Sequence, residues 1–457
     1  MTDLRTSRSV AAPACQPEGA RFRKAARAAA FRKSLGLLAP FDPDYPQAPP
    51  RQARGLVRGQ PLAGRTFLIV TAPFGPFPRV LAEVLSARGA QVSRILFNAG
   101  DLAYWRRPGG IPFRAGVRRW PQRLVELAQD FTDIIVFGEG GPYNQAVLTQ
   151  ADRIPSKVWV LENGYFRPDW ITIEADGVNA SSRLPRHRSA YAAPAPELPI
   201  TRTVGKILPH HVINISLYHA AQLPGRLLFP RYIYPYTQSP WLQFIGHVRR
   251  YIGLAFKSKK DCEASALLAK GPFFLACLQR EGDAQLLRYS HYADNTAFLA
   301  EVMTSFAKHA APECRLVVKN HPLDPGLVDL ANMTRCLAVE RGLADRVDFI
   351  DGGNLAQLCR ASRGMVVNNS SAALSALGFH TPVKVLGDAF FDFEGLTDQQ
   401  DLDSFWSDPE APDVELFTRF RAHVIAKSQV NGNYHEPRAL RPTARGLADF
   451  FELRAGA

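Results

Sequence analysis

What most limits the fold of this chain is a repeated alternation of short, predominantly apolar runs with stretches of helical periodicity. Thr66–Val70, Gln91–Phe97, Asp133–Phe137 and Lys157–Leu161 read as strands, and Arg79–Arg88 as a helix closed by Gly89. A strand apolar along its whole length is buried on both faces, so these runs belong to a parallel sheet with right-handed helical crossovers. The rhythm breaks over 186–260, a segment rich in aromatics, Arg and Pro that includes a helix expected from Trp241 to Phe256. It resumes at Pro272–Leu278, Leu316–Val318, Val347–Ile350, Gly364–Val367 and Val383–Leu386, which make a second Rossmann-like sheet. The last helical stretch, Val414–Arg454, is expected to return to the first domain.

At 457 residues, two domains are the natural expectation. The boundaries read as 1–60 for a leader, 61–265 for an N-terminal domain with an insertion at 186–260, 266–410 for a C-terminal domain, and 411–457 for the closing helices. Neither half has a G-x-G-x-x-G or G-x-x-x-x-G-K-[ST] signature, which disfavours dinucleotide or ATP use. The six cysteines form no close pair of the kind that binds zinc, and no metal or cofactor is expected. No apolar run approaches the ~20 residues of a membrane span, and the basic start lacks a secretory pattern, so a cytoplasmic location is expected.

A net charge of +13 calls for an anionic partner. Nucleic acid is disfavoured, because zinc-finger spacing, RNP-type aromatics and a helix-turn-helix are all missing and the cations are spread rather than striped. An anionic membrane leaflet suits the leader better. Residues 21–38 combine Arg21, Arg23, Lys24, Arg27, Arg32 and Lys33 with Phe22, Leu37 and Leu38, as in an interfacial helix; the alternative is a solvated tail behind a proline-stiffened linker.

Three segments carry candidate chemistry. Glu162 follows an apolar strand and precedes Gly164, which relieves the backbone there, so its carboxylate sits where open α/β sheets bind ligands. In Arg315–Asp324, Lys319 and His321 share strand parity and offer cationic donors to an anionic oxygen before Pro322 stops the strand. In Gly364–Leu377 a strand runs into a helix opening with Asn369, Ser370 and Ser371, which reads either as plain capping or as a phosphate site.

An acid-Gly turn, a His-Pro turn and a Ser-Ser helix start resemble the motifs of bacterial transferases that use CMP-activated ulosonic acids. Pro73–Phe77, Phe97–Asp101, Phe137-Gly138, Glu162–Trp170, Gln279–Gln285, His321–Asp324, Ser371 through Gly387, and Gly395–Thr397 follow the order found in KpsS-type capsule polysaccharide proteins, over roughly residues 65 to 410. The resemblance implies a GT-B-like α/β fold, two Rossmann-like domains facing across a cleft. It further implies a β-Kdo transferase that begins the oligo-Kdo linker of Gram-negative capsules.

On this resemblance Asp283 is the carboxylate nucleophile of a retaining double displacement, and Glu162 the base for the acceptor hydroxyl, or the acid/base of a single displacement. Lys319, His321, Pro322, Asn369, Ser370, Ser371, Gln279 and Gln285 fall to CMP-β-Kdo. Gly164, Arg167, Gly75, Asn98 and Asp101 fall to the substrates, with Arg167 either meeting the Kdo carboxylate or pairing with Asp169 or Glu174. The chain departs from the family at Asn163, commonly a second acid, and at Asn320, often histidine. The acceptor implied is a phospholipid such as (lyso)phosphatidylglycerol on the cytoplasmic face of the inner membrane, with other capsule assembly proteins, a KpsC-type transferase among them, as partners. Alternatives are a CMP-sugar transferase extending an existing Kdo or sialic acid chain, and a non-catalytic export or assembly protein. A scaffold would not need Glu162, Asp283, His321 and Ser370/Ser371 together.

Overall fold

The apolar runs become the central strands of two sheets. The structure is a computed structural model describing residues 61–234, 239–255, 260–282 and 284–454; the basic leader and Asp283 lie outside the described residues. The first sheet contains β1 (Thr66–Ile69), β2 (Gln91–Leu96), β3 (Gly110–Pro112), β4 (Asp133–Phe137), β5 (Lys157–Asn163) and β6 (Trp170–Ala175). Its order is β12-β6-β5-β4-β1-β2-β3, where β12 is Gln429–Asn431. The second contains β7 (Phe273–Cys277), β8 (Arg315–Lys319), β9 (Val347–Ile350), β10 (Gly364–Val367) and β11 (Val383–Val385), in the order β11-β10-β7-β8-β9.

Counted from its own first strand, each sheet has a parallel 3-2-1-4-5 core, the doubly wound Rossmann order. The order reverses between β1 and β4 in one sheet and between β7 and β10 in the other. Those two gaps are where such sheets receive ligands.

Three strands escape a reading of apolar runs. Gly110–Pro112 and Gln429–Asn431 are too short to form one, while β6 folds back antiparallel on β5 and carries β12 on its far side. Gly164 permits that hairpin, since a Cβ there would run into the carbonyl of Trp170.

Helix α1 (Phe77–Ala87) buries Phe77, Leu81 and Leu85 on one sheet face, and α2 (Ala99–Trp105) follows β2. Two long helices of the insertion, α3 (Ile207–Gly225) and α4 (Pro240–Ala255), come next. The six-residue α5 (Ala372–Leu377) follows β10.

The C-terminal stretch divides between the domains. Leu416, Phe417, Phe420 and Val424 of α6 (Val414–Ser428) enter the core of the second sheet, whereas Leu440, Leu447, Phe450 and Phe451 of α7 (Pro437–Leu453) enter that of the first. Each such side chain contributes about 1.5–3 kcal/mol of burial, so the tail fastens both halves. The carboxyl ends of the sheets face one another: Glu139, just beyond β4, accepts a hydrogen bond of 2.7 Å from the Tyr289 hydroxyl of the second domain.

Candidate active site

The second domain supplies a cationic cradle. Lys319 ends β8 and is only 6% exposed, yet its Nζ lies no nearer than 3.5 Å to its one hydrogen-bond acceptor, the Asn320 carbonyl. Among the described residues no carboxylate forms an ion pair with it. A buried cation left this way is costly, and an anionic ligand would remove the cost.

His321 follows on the same side. Its Nδ1 accepts from the Leu323 backbone N–H at 3.1 Å, so in the neutral ring Nε2 carries the proton. Burial, then the charges of Arg167, Arg280, Lys319 and Arg250, push its pKa down to about 3. The expectation of a cationic histidine is therefore corrected: His321 offers a neutral N–H, and the lysine and arginines supply the charge.

Arg250 of α4 fixes this turn from outside. It donates to the carbonyls of Pro322 (2.9 Å), His321 (3.2 Å) and Asp324, and pairs with the Asp351 carboxylate. Pro322 itself is exposed.

At the switch point of the same sheet, Gln279 donates to Asn369 Oδ1 at 2.7 Å and accepts from Asn368 Nδ2 at 2.9 Å, bridging the ends of β7 and β10. Asn369 Nδ2 reaches the carbonyls of Gln285 (3.1 Å) and Tyr289 (2.9 Å). A Cβ at Gly387 would collide with Asn368 Oδ1, so that glycine keeps the bridge open. Of the three residues expected to open α5, Asn369 thus turns inward, Ser370 Oγ accepts from Ala372 N at 3.3 Å, and Ser371 holds the cap position with no side-chain cap bond. Both serines are half-buried, at the carboxyl end of β10.

On the first domain, Glu162 lies near the end of β5, where Oε1 accepts from Asn163 N at 2.8 Å. Its other oxygen faces the strand-end loop of β4, 3.2 Å from where a Cβ on Gly138 would stand. Arg167 is exposed and donates to the Gly164 carbonyl at 3.1 Å. Neither acid that it could have paired with does so: Asp169 accepts from Val204 N, and Glu174 from Tyr165 Oη (2.7 Å) and Ser182 Oγ. Burial pushes Glu174 up to about 7. Arg167 instead contributes to the field at His321 across the cleft.

Gly75, Asn98 and Asp101 seat the insertion. Gly75 has φ +115°, and a Cβ there would come within 2.7 Å of Asn214 on α3. Asn98 caps α2 and donates to the Tyr218 hydroxyl at 2.7 Å; that hydroxyl donates to Asp101, which also pairs with Arg94 at 2.7 Å. Asn98 and Asp101 are buried, with these bonds made inside the protein.

Several participants were not singled out from sequence. Glu139 is buried, and burial raises its pKa while Tyr289, Val178 N and Ser181 donate to it. Its place at the end of β4 was the available signal, the same that marks Glu162. Glu281, two residues before Asp283, is pushed up to about 7 by burial. Arg250 and Arg280 reach the cradle through tertiary folding, which no local pattern announces.

Two doubly wound sheets whose carboxyl ends meet define a two-domain Rossmann-type protein. The model of the capsule polysaccharide biosynthesis protein family matches residues 132–435, and the chain belongs to that family. It is 32% identical over 382 residues to the capsule polysaccharide export protein KpsS of Escherichia coli, covering 82% of this chain and 98% of that protein. It is equally 32% identical over 391 residues to the capsule polysaccharide modification protein LipB of Neisseria meningitidis serogroup A, with 82% and 92% covered. It belongs with these KpsS-type proteins. Among solved structures, Thermosulfurimonas dismutans KpsC, a β-Kdo 2,7 transferase, aligns with a TM-score of 0.40 at 13% identity, over 85% of this chain and 100% of that one.

Proposed function

We propose that this chain is a retaining glycosyltransferase that moves β-Kdo from CMP-β-Kdo to a phospholipid, (lyso)phosphatidylglycerol, to start the Kdo linker of a capsular polysaccharide. The observation that carries the reading is Lys319: a buried ammonium with no ion-pairing acid among the described residues, next to His321, whose N–H lies in the field of three arginines, suits a departing phosphate.

The chemistry distributes as follows. Lys319 and His321 Nε2–H receive the phosphate oxygens as the anomeric C–O bond breaks and its electron pair leaves with CMP. Asp283, assigned from its motif, attacks the anomeric carbon to form a glycosyl ester. Glu162 takes the proton of the acceptor hydroxyl as that oxygen displaces Asp283, and two inversions return the β configuration. Arg167, exposed and without an ion-pair partner among the described residues, suits the sugar carboxylate.

The test is incubation with a CMP-β-Kdo regenerating system and a fluorescent phosphatidylglycerol, with product mass and linkage as the readout. Transfer of β-Kdo, lost in Asp283→Ala with CMP binding retained, supports the reading. A sialic acid product, full activity of Asp283→Ala, or no transfer by the folded protein would overturn it.

A further inference from the structure

The two insertion helices are inside out. Helix α4 turns Gln243, Gly246, His247 and Arg250 toward the protein: Gln243 accepts from Arg280, Gly246 packs on Pro325, and Arg250 holds the His-Pro turn. Its apolar residues Trp241, Phe244, Ile245, Val248 and Ile252 face outward, with Phe244 and Ile245 55% and 59% exposed. Helix α3 repeats the inversion. His211, Asn214 and Tyr218 face the protein, through bonds to His435, Tyr104 and Asn98, while Val212, Ile213 and Leu217 are exposed.

An amphipathic helix that seats its polar face on its own protein needs an apolar medium for the other face. The sequence around these helices says which. Between Glu197 and Asp261 there is no acidic residue, while Arg202, Lys206, Arg226, Arg231 and Arg249 are all cations. A second copy docked on this face about a two-fold axis would set the same cations against each other. An anionic bilayer supplies both missing halves, acyl chains for the apolar faces and phosphates for the cations. No helix among the described residues is long and apolar enough to cross a membrane, so the fit is to its surface.

We infer that α3 and α4 form a bilayer-docking surface that lays their outward apolar faces into an anionic leaflet. The leader is then not the principal membrane contact. The inference deepens the proposed function by giving a lipid acceptor its route of approach, and rests on that reading only for this purpose. The inward face of α4 holds the His321 turn, so the docking surface and the cradle are opposite sides of one helix.

Trp241 is a built-in reporter, because the other five tryptophans are buried. The full-length protein is mixed with vesicles of phosphatidylcholine, with or without phosphatidylglycerol, and no donor is present, so failure of the transferase reading leaves this readout untouched. The expected result is a blue shift of Trp241 emission with phosphatidylglycerol vesicles, its quenching by brominated acyl chains, and a partition constant at least about tenfold lower in Ile245→Glu/Ile252→Glu. Both positions are exposed, and unchanged circular dichroism checks the fold. Reversing Arg21, Arg23 and Arg27 to Glu is expected to leave the Trp241 shift in place. Equal vesicle binding by the wild type and the helix variant, loss of the shift on leader reversal alone, or a dimer dissociated by the helix variant with no vesicle binding by either would each overturn the inference.

Discussion

Replacing Lys319 with methionine separates a ligand-binding lysine from a structural one, because the two roles predict opposite changes in stability. Lys319 is 6% exposed, and its one acceptor is 3.5 Å away, at the weak edge of hydrogen bonding. Desolvating an ion costs several kcal/mol even after relaxation, and apolar replacement of poorly compensated buried charge stabilises proteins by about 1–4 kcal/mol. Lys319→Met is therefore expected to raise the unfolding free energy by about that much and Tm by about 2 °C for each kcal/mol. The same change removes a charge-assisted hydrogen bond to phosphate, worth about 1.5–3 kcal/mol, so CMP should bind roughly ten- to a hundredfold more weakly. Differential scanning calorimetry and titration calorimetry with CMP read the two effects on one preparation. A destabilised Lys319→Met protein with unchanged CMP affinity would refute the reasoning and make Lys319 a structural tether.

His321 ties the site to pH: its pKa is about 3 in the fold against 6.5 when unperturbed, so in that window the unfolded chain takes up a proton that the folded one refuses. The stability carried by the neutral ring is complete above pH 6.5 and is lost as pH falls toward 3; in His321→Gln the acid limb should be shallower by about 1.4 kcal/mol per pH unit in urea titrations, while His435 and His247 steepen the same limb in both proteins. Glu162→Gln should lower transfer by about 10²–10⁴-fold with CMP affinity unchanged in the same calorimetric assay, and parallel losses of both would remove Glu162 from the chemistry. Tyr289→Phe strips Glu139 of a donor across the cleft and should cost about 1–3 kcal/mol in thermal unfolding.

The parallel strands were legible because a strand buried on both faces announces itself by composition, as Phe273–Cys277 and Gly364–Val367 do. Three residues such as Gln429-Val-Asn431 cannot, since their pairing with β6 is a property of the partner strand. Within the site, Lys319 and His321 were readable from parity at the end of β8. The protonation of His321 was not, because it follows from burial in the folded chain and from the charges of Arg167, Arg250 and Arg280, which come from three other places in the sequence. Asn98 and Asp101 were legible as a motif, but the bonds that tie them to the insertion run to Tyr218, more than a hundred residues on. Helix α4 shows a related limit: periodicity reveals a polar and an apolar face, not which of them the protein keeps.

Arg250 makes the seat of α4 and the form of the His-Pro turn a single mechanical variable. Its guanidinium holds three successive parts of the turn and the Asp351 carboxylate at once, as a strut rather than a hinge. Sliding α4 by a single residue rise, about 1.5 Å, would carry those donors out of bonding range of their acceptors. Whatever load α4 bears on its outer side is thus delivered, without an intervening flexible segment, to the backbone that aims His321.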